Sequence, residues 1–282
     1  MGKYQEADDP DEQLRRFRAT HLYKQYNVAG AHWEYILCGY GQEPLLLLPG
    51  VHGLGEVAFQ LILRFEQGYR IIAPSYPSDV ATIARLVDGL ASILTVENLS
   101  QVNVVGGSFS GMIAQQLVRR HPNRVKKLVL DHAGVPRRDR TKKYRFYGKI
   151  LSFLPLALIH IPLKLGKSIS LLGMPNRRAF WNTYFDEIIA ALRKEDYLSR
   201  IQICIDFDQN YTFARDDLLS WSGSMLIIEA DNDAYVSLKE REALKVLYPK
   251  AQVHTFHGTS HFAWATELEV FLHVIEHFLQ ER

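Results

Sequence analysis

The run Val102-Asn103-Val104-Val105 leads directly into Gly106-Gly107-Ser108-Phe109-Ser110-Gly111. This junction limits what the chain can fold into more than any other stretch. β-branched residues favour a strand. Glycines permit a sharp turn that a Cβ would obstruct. Residues 112–120 then read as a helix. A strand that turns abruptly into a helix lifts the residue at its apex above the end of a sheet, and here that residue is Ser108. The common form of such a turn is Gly-x-Ser-x-Gly. Ser110 stands in place of the second glycine and is small enough to be accommodated. The simpler alternative is a Gly-rich turn with a solvated serine.

The same strand–helix rhythm runs through much of the chain. Residues 45–48 are continuously apolar, as in a strand buried on both faces. Residues 31–38 alternate like a strand, and residues 69–73, 125–130 and 224–228 are short apolar runs. Between them, residues 57–65 and 81–94 repeat apolar side chains at helical spacing. Strands alternating with helices predict right-handed β-α-β units and a parallel sheet. The rhythm stops after Gly134. Residues 135–221 carry much helix and little strand, too long a stretch for a single crossover. A chain of 282 residues suits one α/β core, residues 20–134 and 222–282, with an insertion at 135–221 and a frayed or helical leader at 1–19.

Two later segments bear on Ser108. Phe256-His257-Gly258-Thr259-Ser260-His261-Phe262 follows a strand-like run, and the apolar run 224–228 ends in Glu229-Ala230-Asp231-Asn232-Asp233. The chain order is serine, acid, histidine. A serine hydroxyl is a weak nucleophile until a base takes its proton. A histidine does so near neutral pH when a carboxylate fixes its tautomer. His261 is the expected base, and Asp233, Asp231 and Asp131 are candidate acids. Asp131 reads more simply as a cap for the helix that follows. His254 and His257 suit the two faces of a strand.

These segments, together with Pro49-Gly50-Val51-His52-Gly53, Gly68-Tyr69-Arg70-Ile71-Ile72-Ala73-Pro74-Ser75-Tyr76-Pro77, Gln209-Asn210-Tyr211 and Leu247-Tyr248-Pro249-Lys250-Ala251, resemble the α/β-hydrolase fold superfamily over residues 20–282. Within it they are similar to the maspardin-type branch. The resemblance implies a mostly parallel eight-stranded α/β sheet, with residues 135–221 forming a helical lid above the catalytic edge. It implies a serine hydrolase with the triad Ser108, Asp233 and His261. Asp233 stands where related sequences place the carboxylate of a Gly-x-x-Asp turn, with Ala230 in place of the glycine. It also implies an oxyanion hole from the backbone N–H groups of Phe109 and Val51, since Pro49 has no N–H to give. Maspardin-type proteins tend to lack a histidine at the position of His261, which implies a binding role, whereas His261 implies catalysis. The expected reaction is hydrolysis of a small-molecule carboxylic ester with a hydrophobic acyl or alcohol part. No metal or organic cofactor is expected. The rivals are a non-catalytic binding protein and a carbon–carbon bond hydrolase, thioesterase or lactonase with the same triad. Haloalkane dehalogenases and epoxide hydrolases fit less well, because they carry an aspartate where Ser108 stands.

The net charge of +2 predicts neither nucleic-acid nor membrane binding from total charge. Cys38 and Cys204 form no metal motif and are expected to be small buried hydrophobes. Residues 1–13 are polar and lack a secretory core, and no apolar run reaches the roughly 18 residues of a membrane span. A cytoplasmic setting is therefore expected, and the oligomeric state is not legible. Arg137, Arg138, Arg140, Lys142, Lys143 and Arg145 precede the largely apolar stretch 150–159. This pattern is either a solvated face or a lid that makes weak peripheral contact with lipid headgroups, its apolar part lining an acyl pocket. His52, Phe153 and Trp181 are expected to touch substrate, with Tyr184 and Phe185 packing the lid.

Overall fold

A computed structural model describes residues 9–28, 30–170 and 178–281, the side chains of 162 and 165–170 excepted. Eight strands form one sheet: β1 (Tyr23–Val28), β2 (Ala31–Cys38), β3 (Glu43–Leu48), β4 (Tyr69–Ser75), β5 (Val102–Gly107), β6 (Val125–Asp131), β7 (Ser224–Ala230) and β8 (Gln252–Phe256). Their spatial order is β1-β2-β4-β3-β5-β6-β7-β8. Strand β2 runs antiparallel to β1 and β4, and the remaining pairs are parallel. The expected class, a mostly parallel eight-stranded α/β sheet, is the one the chain adopts. The sequence gives little sign of β1, because this edge strand is polar and largely exposed.

Side chains alternate between the two faces of each strand, and this divides the core in two. Leu46, Leu48, Ile72, Val104, Leu128, Leu130 and Ile227 lie in one apolar cluster. Their neighbours Leu45, Leu47, Ile71, Val105, Val129, Leu226 and Ile228 lie in the other. Each layer is closed by helices. Helices α3 (Ile83–Val96), α4 (Phe109–Arg120) and α9 (Leu238–Leu247) contribute to the first. Helices α1 (Pro10–Thr20), α2 (Phe59–Phe65) and α11 (Leu268–Gln280) contribute to the second, and a short α10 (Ala263–Thr266) precedes α11. Helix α1 is more than a leader. Asp9 accepts from Asp11 N at its start, Pro10 occupies its first turn, and Leu14 and Phe17 are buried against the body.

Among the described residues, four α-helices lie between β6 and β7: α5 (Thr141–Phe153), α6 (Leu156–Ser170), α7 (Arg178–Ala191) and α8 (Lys194–Asn210). Helix α8 is tied firmly to the sheet layer. Ser199 Oγ donates to Val80 O at 2.9 Å, Arg200 Nη2 donates to Tyr76 O at 2.8 Å, and Asp206 accepts from Ile83 N at 2.8 Å. Helix α5 lies on α8 at Gly148, where a Cβ would meet Ile201 Cγ2 at 3.2 Å.

Candidate active site

The elbow between β5 and α4 holds Ser108 at φ +50°, ψ −114°, a strained conformation for a residue with a Cβ. The strain is held in place from both sides. Ser108 N donates to Asp131 O at 2.7 Å across the sheet. A Cβ on Gly106 would lie 2.8 Å from Ala114 Cβ, and one on Gly111 would lie 2.5 Å from Ala133 Cβ, so neither position admits a side chain without displacement. The departure from the common motif has a structural account. Ser110 is fully buried, its Oγ accepts from Gly107 N at 2.9 Å, and its one proton is shared between Leu48 O at 3.0 Å and Gly107 O at 2.9 Å. The hydroxyl rivets the turn to the end of β3.

His261 Nε2 lies 3.0 Å from Ser108 Oγ, and His261 Nδ1 lies 2.8 Å from Asp233 Oδ2. The second Asp233 oxygen accepts from Tyr235 N at 2.7 Å and Val236 N at 2.9 Å. Burial pushes the Asp233 carboxyl up. The His261 hydrogen bond and charge, with the two backbone N–H groups, outweigh it and leave the carboxyl below its ordinary value. Asp231, two residues earlier, faces the exposed rim, where it meets His257 Nδ1 at 3.2 Å and Gly258 N at 2.8 Å. Asp131 does not cap a helix as expected. Its carboxylate holds Nδ1 of the neighbouring His132.

Strand β3 lies beside β5, with Leu48 opposite Gly106, so the loop after β3 leaves the sheet at the same edge as Ser108. The loop is closed by Gly53 N donating to Gly50 O at 2.9 Å and by Tyr76 N donating to Gly53 O at 2.8 Å. Gly53 has φ +70°, and a Cβ there would strike the Arg200 guanidinium at 2.4 Å. Val51 sits at the loop tip with 52% exposure. Phe109 buries its ring and is the first residue of α4, where leading N–H groups have no acceptor within the helix. Beside them, burial lowers the half-buried His52 imidazole to about 4. From His52 a row of rings crosses to His261: Phe185 at 6.0 Å, then Trp181 at 5.6 Å, Trp264 at 5.1 Å, Phe262 at 6.3 Å and His261 at 5.8 Å between successive centroids.

A serine held at a strained apex, in line with an imidazole and a buried carboxylate, is a geometry suited to acyl transfer. The sequence model for the alpha/beta hydrolase fold matches residues 43–267. The chain belongs to this family. As an α/β hydrolase it is 26% identical over 245 residues to the 2-hydroxymuconate semialdehyde hydrolase of Pseudomonas putida, covering 83% of each chain. It is 25% identical over 257 residues to the pimeloyl-[acyl-carrier protein] methyl ester esterase of Vibrio vulnificus, covering 88% of this chain and 97% of that one. The similarity to maspardin of Danio rerio is partial, 36% over 90 residues, covering 31% of this chain and 29% of that one. Among solved structures, an esterase from Exiguobacterium antarcticum superimposes with a TM-score of 0.76 at 17% identity, covering 92% of this chain and all of the other (100%).

The expected contact residues of this α/β hydrolase fall in different surroundings. Trp181 is buried within the ring row and is wall, not open surface. Phe153 corrects an expectation. It is 79% exposed at the end of α5, because the inner side of α5 packs on α8 and Phe153 points away from it. Two residues escaped the sequence. His132 is buried at φ +47°, with its ring edge-on to His261 at 5.2 Å. Burial pulls its pKa down, but the Asp131 and Asp233 charges outweigh burial and leave it raised. The Asp131-His132 pair at a strand end was its only signal. Arg200, the buried guanidinium under the β3 loop, had none. Among the described residues, His21, Cys38 and Glu66 bring metal-type ligand atoms within 4.8 Å of one another at the opposite sheet edge. His21 and Glu66 are a 2.8 Å ion pair, and burial pushes the Cys38 thiol up to about 12, so this cluster is accounted for without an ion.

Proposed function

We propose that this chain is a serine hydrolase of carboxylic esters with a hydrophobic acyl or alcohol part. The observation that carries this is His261, bridging Ser108 at 3.0 Å and Asp233 at 2.8 Å. Ser108 Oγ attacks the acyl carbon while His261 Nε2 takes its proton. The oxyanion is met by the N–H groups of Phe109 and Val51. His261 returns the proton to the leaving alkoxide, then activates the water that releases the carboxylic acid and restores Ser108. Asp233 orients the imidazole and steadies its charged form. Residues 135–221 act as the lid, and the ring row from His52 through Phe185 and Trp181 walls an apolar cleft. A cytoplasmic setting belongs to the same proposal, supported by two cysteines that are free thiols.

The similarity to a methyl ester esterase supports ester chemistry. That to a 2-hydroxymuconate semialdehyde hydrolase favours a second substrate class on the same triad. A fluorophosphonate probe should label Ser108, and p-nitrophenyl esters from acetate to palmitate should be turned over by the wild type and not by Ser108→Ala. Labelling without ester turnover, but with hydrolysis of 2-hydroxymuconate semialdehyde, would replace the ester assignment. Neither labelling nor turnover would leave a binding protein.

A further inference from the structure

The chain's small net charge of +2 conceals a strong asymmetry. Between Arg140 and Phe185 there are nine lysines and arginines and no aspartate or glutamate, so the remainder carries an acidic excess. Among the described residues, seven exposed large apolar side chains fall in the same region, Tyr147 and Leu163 among them. On α5, Phe146, Ile150 and Phe153 follow at spacings of four and three and share one helix face, with Phe146 62% exposed. Leu158 and Ile161, the latter 53% exposed, lie three apart on α6. Lys142, Lys143 and Lys149 are exposed on α5 among these rings and aliphatics.

We propose that the outer faces of α5 and α6 form a docking surface for an anionic lipid bilayer. Clustered exposed apolar side chains mark an interaction surface, not ordinary solvent-facing helix. Apolar side chains that enter the headgroup boundary, combined with cations that meet acidic headgroups, are the two signals that stable peripheral binding needs. Among the described residues no helix is long and apolar enough to cross a membrane, so the contact is with the surface. A second copy of the chain fits this face poorly. A twofold interface sets a patch against itself, and here lysines would oppose lysines. The α5 face turns away from α8, so docking does not require α5 to leave its packing.

The proposal is independent of the ester-hydrolase assignment, and the test separates them. The full chain is sedimented with vesicles of phosphatidylcholine alone and of phosphatidylcholine mixed with phosphatidylserine. The wild type and Ser108→Ala should both bind the mixed vesicles and leave the neutral ones. Raising salt to about 0.5 M should release them, as screening shortens the reach of the lysine charges. The triple variant K142E/K143E/K149E should bind the mixed vesicles at least about tenfold more weakly. F146S/F153S should also bind more weakly, with thermal unfolding and gel-filtration volume reporting that both variants are folded. Equal binding to neutral vesicles, no binding to either kind, or full binding by folded K142E/K143E/K149E would overturn the proposal. A wild-type dimer that F146S/F153S converts to monomer would assign the face to a second copy and overturn it as well.

Discussion

Ser110 Oγ lies 3.0 Å from Leu48 O, so the residue that breaks the common glycine pattern ties the elbow to the neighbouring strand. Restoring the motif should therefore do harm. Ser110→Gly leaves Leu48 O and Gly107 N without their side-chain partner in a buried place and adds a glycine to the first turn of α4. Its stability should fall by about 1–3 kcal/mol. Urea unfolding checks this. A variant as stable as the wild type would mean that the hydroxyl contributes no net stabilisation.

The strain at Ser108 gives a second expectation. Its φ of +50° suits glycine better than alanine. Ser108→Gly and Ser108→Ala should both lose ester turnover. The glycine variant should be the more stable by about 1 kcal/mol, because it has no Cβ to strain. Paired thermal melts decide it, and a more stable alanine variant would refute a strained apex.

Asp233 and Asp231 separate cleanly. Asp233→Asn should lower kcat on the order of 10⁴-fold by upsetting the His261 tautomer. Asp231→Asn, on the exposed rim, should stay within about twofold. The pH dependence of stability has a definite sign. The Asp233 carboxyl is held below its ordinary value, so its ionised form stabilises the fold fully above that value, and this is lost as pH falls through the folded one. Unfolding titrations in acid should therefore show Asp233→Asn losing less stability than the wild type across that window.

His132 acts in the opposite sense. Its pKa is raised, so protonation contributes stability that is fully present below the ordinary imidazole value and is lost as pH rises through the folded one. Asn tolerates a positive φ, and its amide can donate to Asp131 as the imidazole does. His132→Asn should therefore be less stable than the wild type below about pH 6.5 and should approach it well above that value. A stability gap that is constant from acid to alkaline pH would remove the titration of His132 as its cause.

The ring row and the α5 tip should differ in specificity. Phe185→Leu opens space beside His52 and should shift the preferred ester chain length in kcat/KM. Phe153→Ala should leave the profile unchanged, because Phe153 faces solvent. A p-nitrophenyl ester series run on both variants tests the contrast, and a shift caused only by Phe153→Ala would reverse it.

The sequence by itself determined the sheet and the elbow. Leu45 to Leu48 is apolar throughout because a strand covered on both faces leaves no position for a polar residue, and such a run is legible without knowing what covers it. The turn at Ser108 is legible because its small residues stand together in the sequence, although only Gly106 is demanded by neighbours a few residues away, Ser110 and Ala114, while Gly107 and Gly111 are demanded by Asp131 and Ala133 across the sheet. The order of serine, acid and histidine could also be read. The residues alone left Asp233 and Asp231 both open, the family resemblance favoured Asp233, and the tertiary structure sets Asp233 against His261 and Asp231 against His257. Both lie in one short loop, and what distinguishes them is which one reaches His261, 28 residues beyond Asp233 and 153 beyond Ser108. The same limit hid His132, whose importance lies in a ring from another strand end, and Arg200, which is defined by a loop it meets far along the chain. It also misplaced Phe153. Helical periodicity shows that α5 has an apolar face, but the partner that a face meets is set by packing. Here α8 takes the inner side and leaves Phe153 outside.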